Sequence, residues 1–545
     1  MSASAEATIS RHTVGASSVT LLRLSGVLAY ACASILLVVW CSQRPFARQG
    51  DAWEYLATAE ALANHGSADI RPGDVHTMFE RVDLWRPRES GARPAAEVYA
   101  RELDHGFVTA PDGAVHARHF WMYSLFAVPA HMALEAVGAP AFNALIVTNA
   151  WMLAAALALV LLPGAGTGRD RLTFAALLLA SPVVWYVTFT GVEVFTWCLV
   201  VVAVVALDRQ RHGTAAFAAG LAATQNPPLV LLAGVPVLLA LRRGRRADAV
   251  RALAGASIAL LPVAWTEWHF GEPILIAATI DVGRISLART ATLIADLNVG
   301  LIAYAPWLLI ALPLAVVRLV SRRDAIGLAV AVAMGGVALA VQSQLNWNTD
   351  GRGLMRYLLW MLPAFTWLVF RESRQWWRTG MATAAIATTV GIAVWDPPRD
   401  TSWLEHRALA RAVLHHAPTL YEPDPEIFTE RAVHAEAPPT WVLNGVRDGW
   451  RVALPVAIGR ASGEVTTLLL DRATLAEVPR RFTVRADYLP VLDRLVGAGD
   501  TPFYVHPPAG AVWATSGAVD GSFAPSSMPW PHPGRVVRGA RPGGS

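Results

Sequence analysis

The sequence predicts a polytopic α-helical membrane protein that carries a β-rich domain after its last span. Hydrophobic residues make up 54% of the 545 residues and charged residues only 16%, against about 25% charged residues in an ordinary globular protein. Apolar runs of about 20 residues, the length of a membrane-spanning helix, recur up to residue 395. After Asp396 the pattern changes to short alternating stretches between Gly and Pro, which is typical of strands. This composition excludes a disordered chain, a collagen and a coiled coil.

The apolar runs predict about 11 transmembrane helices. The first run, residues 21–40, has no small-residue cleavage site after it, so we expect a retained signal-anchor helix. Two runs are long enough to predict a helical hairpin each: residues 172–207, which turn near Gly191, and residues 213–241, which turn at 225–228. The single spans are predicted at 141–162, 252–268, 299–317, 325–342, 354–370 and 379–395.

The basic residues predict the orientation of these spans. The sequence has no lysine, so all 45 basic residues are arginine, and they concentrate in alternate loops. This alternation is the positive-inside bias, which marks cytoplasmic loops. We therefore expect a bacterial cytoplasmic (inner) membrane protein with its N-terminus in the cytoplasm and its C-terminal part outside.

The chain is predicted to have three parts. Residues 1–395 form the transmembrane domain, including a first extracytoplasmic loop with interfacial helices at 41–118. Residues 396–523 form an extracytoplasmic β-rich domain, and residues 524–545 form a flexible tail. The strands of the β-rich domain are predicted in the stretches 466–471, 481–487 and 510–519. The formal charge of +4, with no basic stripe among aromatics, excludes a nucleic-acid partner, so the expected surroundings are the lipid bilayer.

The first loop carries the first candidate site residues. Asp51 and Glu54 begin a predicted amphipathic helix that continues to about Ala63. Asp51 is predicted as the N-cap of a capping box with Glu54 or as a base held at the membrane surface, and capping does not exclude the second role. Arg118 and His119 begin a second interfacial segment. They either flank the same cavity as Asp51 or belong to an aromatic belt.

Glu193 is the only acid within residues 172–207. An ionisable group at this depth is costly unless it faces a polar cavity. The alternative is an exposed glutamate at the tip of the predicted hairpin.

A polar loop leads into the span predicted at 354–370. It contains Asp350 and Arg352, and Arg356 follows in the first turn of the helix. Arg356 either extends to a lipid head group or binds a substrate phosphate. The sequence has no Walker A, GxGxxG or HExxH pattern, so no nucleotide site is predicted.

The order and placement of these residues resemble the GT-C superfamily of polytopic glycosyltransferases, which includes protein O-mannosyltransferases, lipid A aminoarabinose transferases and arabinofuranosyltransferases. The resemblance covers about residues 1–395. It lies in an acid-bearing stretch after the first span, a basic and aromatic start to the interfacial helix, a second acid at an outer span end, and a late Arg-Tyr-Leu-Leu span start. The residues are Gly50, Asp51 and Tyr55; Arg118, His119 and Tyr123; Glu193; and Gly351, Arg356, Tyr357, Leu358, Leu359, Leu362 and Pro363.

The resemblance implies a polyprenyl-phosphate-linked sugar as donor and transfer with inversion to a hydroxyl of an extracytoplasmic glycan, lipid or protein. An acceptor hydroxyl needs a base, and a phosphate leaving group needs cationic donors. The expected roles are catalytic base for Asp51; substrate binding for Glu54, Glu193 and Asp350; and donor-phosphate binding for Arg118, His119, Arg352 and Arg356.

The sequence departs from the superfamily pattern at three points. The first loop lacks an adjacent acidic pair, a glutamate stands where an aspartate is common, and lysine is absent. We therefore assign no metal ligand. The spacing of His116 and His119 is a weak metal signal because no third ligand lies nearby in sequence. A divalent cation stays open, and no other cofactor is expected.

Other functional classes remain open at the sequence level. A glycan polymerase or ligase also uses lipid-linked donors, but its large loop typically lies late in the membrane domain. A transporter or flippase predicts charged residues near mid-membrane on several helices, whereas the runs here are nearly free of charge. A structural membrane protein with a soluble sensor leaves Glu193 and the polar loop before Arg356 unexplained.

Overall fold

A computed structural model describes most of the chain up to residue 416 and short stretches beyond it. The described residues are 25–44, 51–85, 106–162, 166–276, 280–344, 347, 352–399, 403, 405–416, 421, 427, 431, 468–470, 482–483, 503–505 and 514–515. This part of the chain is mostly helical (76%) and has little sheet. The candidate residue Asp350 and the predicted tail at 524–545 lie outside it.

The helices follow the predicted apolar runs. In chain order the described α-helices are α1 Ser25–Ser42, α2 Ala52–His65, α3 Pro72–Trp85, α4 Met122–Ala136, α5 Ala144–Leu161, α6 Gly168–Leu179, α7 Val183–Tyr186, α8 Glu193–Asp208, α9 His212–Ala223, α10 Val230–Arg242, α11 Arg246–Ala256, α12 Leu261–Phe270, α13 Leu287–Ala295, α14 Leu301–Tyr304, α15 Pro306–Arg322, α16 Ala325–Ala340, α17 Arg356–Glu372, α18 Gln375–Trp395 and α19 Ala408–His416.

Four helical stretches in the described residues are long and apolar enough to cross a membrane. They are Ser25–Ser42, Ala141–Leu161, Arg246–Phe270 and Ala325–Ser343. Only 6% of the Ser25–Ser42 stretch is buried within the protein. Its exposed apolar side chains form a surface that a bilayer covers favourably and water does not. The mostly helical class is therefore confirmed, with four helices in the described residues that are candidates for crossing a membrane, and the count of about 11 spans stays a prediction.

Breaks in the longer runs lie where turn residues predict them. Residues 187–192 are non-helical between α7 and α8, and the Pro227–Leu229 3-10 turn separates α9 from α10. The span predicted at 299–317 is broken, however, because α15 begins only at Pro306. Ala305 has φ −144° and ψ 55°, since a residue before proline avoids the α region.

The described strands are short. β1 Phe107–Thr109 and β2 Val115–Ala117 form an antiparallel hairpin in the first loop. Near the C-terminus, β3 Leu468–Leu470 pairs with β5 Phe503–Val505, and β4 Phe482–Thr483 pairs with β6 Ala514–Thr515, both antiparallel. Each of the three predicted stretches contains one of these strands. The extracytoplasmic β-rich domain at 396–523 stays a prediction.

The chain divides into two compact units. Unit 1 comprises residues 1–159 and 190–198, and unit 2 comprises residues 160–189 and 199–545. Within unit 1, α2 packs against α3 and α4. Within unit 2, α9, α10 and α11 pack on one another, α17 packs against α15 and α16, and α6 packs against α18.

Candidate functional site

Asp51 lies immediately before α2 in unit 1, as predicted. It occupies the N-cap position, but its side chain makes no capping hydrogen bond. The carboxylate of Glu54 turns instead toward His119. The capping-box alternative for Asp51 is therefore wrong, and the Asp51 carboxylate, 38% exposed, remains accessible at the surface.

His119 lies between the two carboxylates. Oε2 of Glu54 accepts a hydrogen bond of 3.1 Å from the backbone N–H of His119 and lies 2.9 Å from Nδ1 of its ring. Nε2 of the same ring lies 3.5 Å from Oδ2 of Asp51. An oxygen that already accepts a backbone N–H is best matched by a protonated Nδ1, so Nε2 is the ring atom that faces Asp51. The buried Glu54 thus fixes the orientation of the His119 ring from its Nδ1 side.

Burial controls the protonation of Glu54. The side chain is only 7% exposed, and this burial raises the pKa of the Glu54 carboxyl, while the charge and hydrogen bonds of His119 lower it and the charge of Asp51 raises it further. Glu54 is therefore harder to ionise than an ordinary glutamate, and it positions His119.

The same three side chains can hold a cation. One ligand atom from each of Asp51, Glu54 and His119 lies within 4.8 Å of the others. Ligand atoms at about 2.0–2.3 Å from one divalent ion are spaced at such distances from one another. His116 is not a member of this group, and its Nδ1 lies 3.2 Å from the backbone oxygen of Ala68. The two carboxylates that complete the group with His119 come from the residue before α2 and from the first turn of α2.

Gly106 makes room for this cluster, and sequence reasoning missed it. A Cβ atom at Gly106 would lie 2.6 Å from Oε1 and 2.8 Å from Cγ of Glu54. The backbone oxygen of Gly106 also accepts a hydrogen bond of 2.8 Å from the N–H of Arg118. The hairpin β1–β2 thus brings its backbone against the glutamate. The signal in the sequence is a lone glycine directly before a strand.

Aromatic side chains pack behind the cluster. The ring of Tyr55 lies 5.6 Å from that of His119 and 5.3 Å from that of Tyr123. Tyr123 donates a hydrogen bond of 2.9 Å to Oδ1 of Asn149 on α5. These contacts hold α2, α4 and α5 in fixed register behind the carboxylates.

The other two predicted residues of unit 1 differ in burial. Glu193 begins α8 and is 2% exposed, so its placement at an exposed hairpin tip is wrong. Its position in the first helical turn is favourable for a negative charge. The ring of Phe195, two residues later, lies 5.5 Å from that of Tyr123. The side chain of Arg118, by contrast, is exposed.

The predicted arginines of unit 2 are held by backbone and rings. Nη1 of Arg352 donates a hydrogen bond of 3.2 Å to the backbone oxygen of Trp185. Arg356 begins α17, as predicted; its Nη2 donates to the hydroxyl of Tyr357 at 3.2 Å, and its guanidinium lies 5.1 Å from the centre of that ring. Both side chains are half-buried.

Tyr304 supports the loop between these arginines. A Cβ atom at Gly353, whose φ is +97°, would lie 2.3 Å from the Tyr304 hydroxyl. That hydroxyl donates to the backbone oxygen of Asn298 at 2.9 Å and accepts from Nη1 of Arg407 at 2.8 Å. Nε of Arg407 in turn donates to Oδ2 of Asp396 at 2.7 Å. The chain after the last predicted span thereby contacts the loop that carries Arg352.

The structure thus brings Asp51, Glu54 and His119 together, places Glu193 and Arg118 in the same unit, and places Arg352 and Arg356 in the other unit. No protein-family model, curated protein or solved structure matches this chain.

Proposed function

We propose that this protein is an integral-membrane glycosyltransferase of the GT-C type. It would move a sugar from a polyprenyl-phosphate donor to a hydroxyl of an extracytoplasmic glycan, lipid or protein, with inversion. The observation that carries the proposal is the accessible Asp51 carboxylate beside His119, whose ring is anchored by the buried Glu54.

The proposed reaction is a single displacement. The acceptor oxygen forms a bond to the anomeric carbon, Asp51 accepts the hydroxyl proton, and the bond from that carbon to the phosphate oxygen breaks. The electron pair of the broken bond leaves on polyprenyl phosphate. A phosphate leaving group needs no general acid, unlike the alcohol released in glycoside hydrolysis.

Cationic groups would stabilise the charge that develops on the phosphate. The proposed donors are Arg118, His119, Arg352 and Arg356. Glu54 would orient His119, and Glu193 and Asp350 would contact the substrates. A divalent cation held by Asp51, Glu54 and His119 would replace the charge of a protonated His119 as the source of positive charge at this place, because a metal-bound histidine is neutral.

The proposal includes the membrane arrangement predicted from the sequence. About 11 spans, a cytoplasmic N-terminus and a β-rich domain at 396–523 would place the first loop and the C-terminal part outside the inner membrane. The β-rich domain would help to bind the acceptor, by analogy with the superfamily. The apolar helices support a bilayer location.

The test is a transfer assay with purified protein in lipid nanodiscs. The donor probes are polyprenyl phosphates that carry mannose, arabinose or glucose, assayed with and without a chelator. We expect Asp51→Asn to bind donor as the unmodified protein does but to lose at least about a hundredfold in transfer rate. Asp112→Asn, at an exposed turn of the β1–β2 hairpin, is the matched control. Full transfer by Asp51→Asn would contradict the assignment of the base.

A further inference from the structure

An open groove of about 360 Å³ lies within unit 2, between α15 and the segment that joins the end of α17 to the start of α18. This volume falls in the range of roughly 300–1,000 Å³ that is typical of ligand pockets. The groove is polar at one end only, where Arg318, Glu372 and Ser373 lie. The rest of its lining is apolar or aromatic and includes Trp307, Ile310, Leu314, Trp377, Met381 and Ala384. The groove therefore suits a ligand that is apolar along most of its length.

The polar end of the groove keeps one positive charge. The carboxylate of Glu372, whose side chain is 4% exposed, pairs with Nη1 of Arg322 at 3.1 Å. Nη1 of Arg318 donates instead to the backbone oxygen of Glu372 at 3.0 Å, and a carbonyl holds a guanidinium without neutralising its charge. Within the described part of the chain, no carboxylate forms an ion pair with Arg318. Two arginines and one glutamate thus leave the charge of Arg318, which lines the groove, uncompensated.

The groove has the length of one bilayer leaflet. Since a helix rises about 1.5 Å per residue, Trp307 and Arg318 lie about 16 Å apart along α15. Half of a hydrocarbon core of about 30 Å is about 15 Å. The two helices that form the walls belong to the spans predicted at 299–317 and 379–395, so Arg318 directly follows one predicted span. An acyl chain laid along α15 would reach from Arg318 to the middle of the bilayer.

Two exposed tryptophans border the polar end. Trp376 and Trp377 begin α18 and are 64% and 42% exposed, with their ring centres 4.6 Å apart. Tryptophan is enriched at membrane–water interfaces, where its ring meets the head groups. The polar end of the groove therefore has the composition expected at head-group depth.

We propose that this groove binds a phospholipid of the cytoplasmic leaflet, with one acyl chain between α15 and α18 and the phosphate group on Arg318. Phosphate oxygens match an arginine fork, whereas an apolar helix of another protein would cover the guanidinium without compensating its charge. The loops that carry Arg318 and residues 371–378 are predicted to be cytoplasmic. The site is separate from the proposed transfer chemistry and stands without it.

The experiment is native mass spectrometry of the whole protein in neutral detergent, titrated with two lipids that have the same acyl chains. They are dioleoyl phosphatidylglycerol and dioleoylglycerol, which lacks the phosphate. The phosphate-bearing lipid should bind at least about tenfold more tightly. Equal affinities would overturn the proposal, and so would a lipid-free dimer, which would assign the groove to a second copy of the chain.

The variant Arg318→Gln tests the phosphate contact. Glutamine keeps an N–H donor for the backbone oxygen of Glu372, so the fold should be retained. The affinity for phosphatidylglycerol should fall about tenfold, and that for dioleoylglycerol should not change. Arg246→Gln, which changes an exposed arginine outside the lining, is the matched control. Undiminished binding of phosphatidylglycerol by Arg318→Gln would overturn the proposal.

The variant Gly380→Leu tests the acyl-chain contact. Gly380 lines the groove, and a Cβ atom there meets nothing within 4 Å, so leucine would fill the space without a clash. Leucine also favours a helix more than glycine does, so folding should not suffer. Both lipids should bind at least about tenfold more weakly. Gly391→Leu, at an equally open position of α18 outside the lining, should bind as the unmodified protein does, and the same result for Gly380→Leu would contradict the proposal.

Discussion

The acid cluster of unit 1 and the arginine-bearing loop of unit 2 hold their charged side chains at different depths of burial. Glu54 is buried and depends on His119 for hydrogen bonds and charge. Arg352 and Arg356 are half-buried, and their contacts include a carbonyl, a hydroxyl and a ring face. Loss of a partner therefore perturbs a buried carboxyl group in unit 1 and a half-buried guanidinium group in unit 2.

Both regions also contain a glycine at a point where another residue's side chain packs closely against the backbone. Gly106 lies against Glu54, and Gly353 lies against Tyr304.

Gly353→Ala should cost about 2–4 kcal/mol of unfolding free energy, because it adds backbone strain to a clash with Tyr304. Gly66→Ala is the control: its φ is +71° and nothing lies within 4 Å of the added Cβ, so only the strain of about 1 kcal/mol remains. Thermal unfolding in nanodiscs measures both. An equal loss of unfolding free energy in the two variants would show that Tyr304 moves away from the added methyl group without a measurable cost in stability.

Gly106→Ala should lower the rate of sugar transfer at least about tenfold, equivalent to about 1.4 kcal/mol, because Glu54 must move and take His119 with it. Gly73→Ala, at an open position at the start of α3, should leave the rate unchanged. An unchanged rate in Gly106→Ala would show that the position of the Glu54–His119 pair does not affect sugar transfer.

Arg356→Ala should weaken donor binding about tenfold, since a charge-assisted bond to phosphate is lost. The exposed Arg374 provides the control substitution Arg374→Ala. Binding is measured by titration of a short-chain polyprenyl-phosphate sugar. Unchanged affinity would assign Arg356 to lipid head groups instead.

Glu54→Gln should change how stability depends on pH. Because burial raises the pKa of Glu54 above its ordinary 4.5, the folded protein binds this proton more tightly than the unfolded chain does. Stability should therefore fall as pH rises from about 4.5 through the folded-state pKa. Glutamine removes this loss, so the variant should gain stability relative to the unmodified protein across that window. A constant difference in unfolding midpoint between pH 4 and pH 8 would contradict the assignment.

Local features were the predictable ones. The start of α2 after Asp51, the start of α17 at Arg356 and the break near Gly191 follow from turn residues and hydrophobic runs. The interruption at Ala305 was missed because the apolar run continues across Pro306. The burial of Glu193 could not be read locally either, since it depends on the helices that surround the start of α8.

The sequence by itself determined that the chain is mostly helical and has apolar helices compatible with a bilayer, because apolar runs of that length can be recognised without knowing what packs against them. Only the tertiary structure decided that His119, 65 residues after Glu54, lies between Glu54 and Asp51. It also decided that Gly106 leaves room for them and that Arg407 supports Tyr304. These contacts form only when segments far apart in sequence pack together. The two alternatives at Asp51, a capping box with Glu54 or a base, differ in the direction of the Asp51 and Glu54 side chains, which the local sequence does not fix.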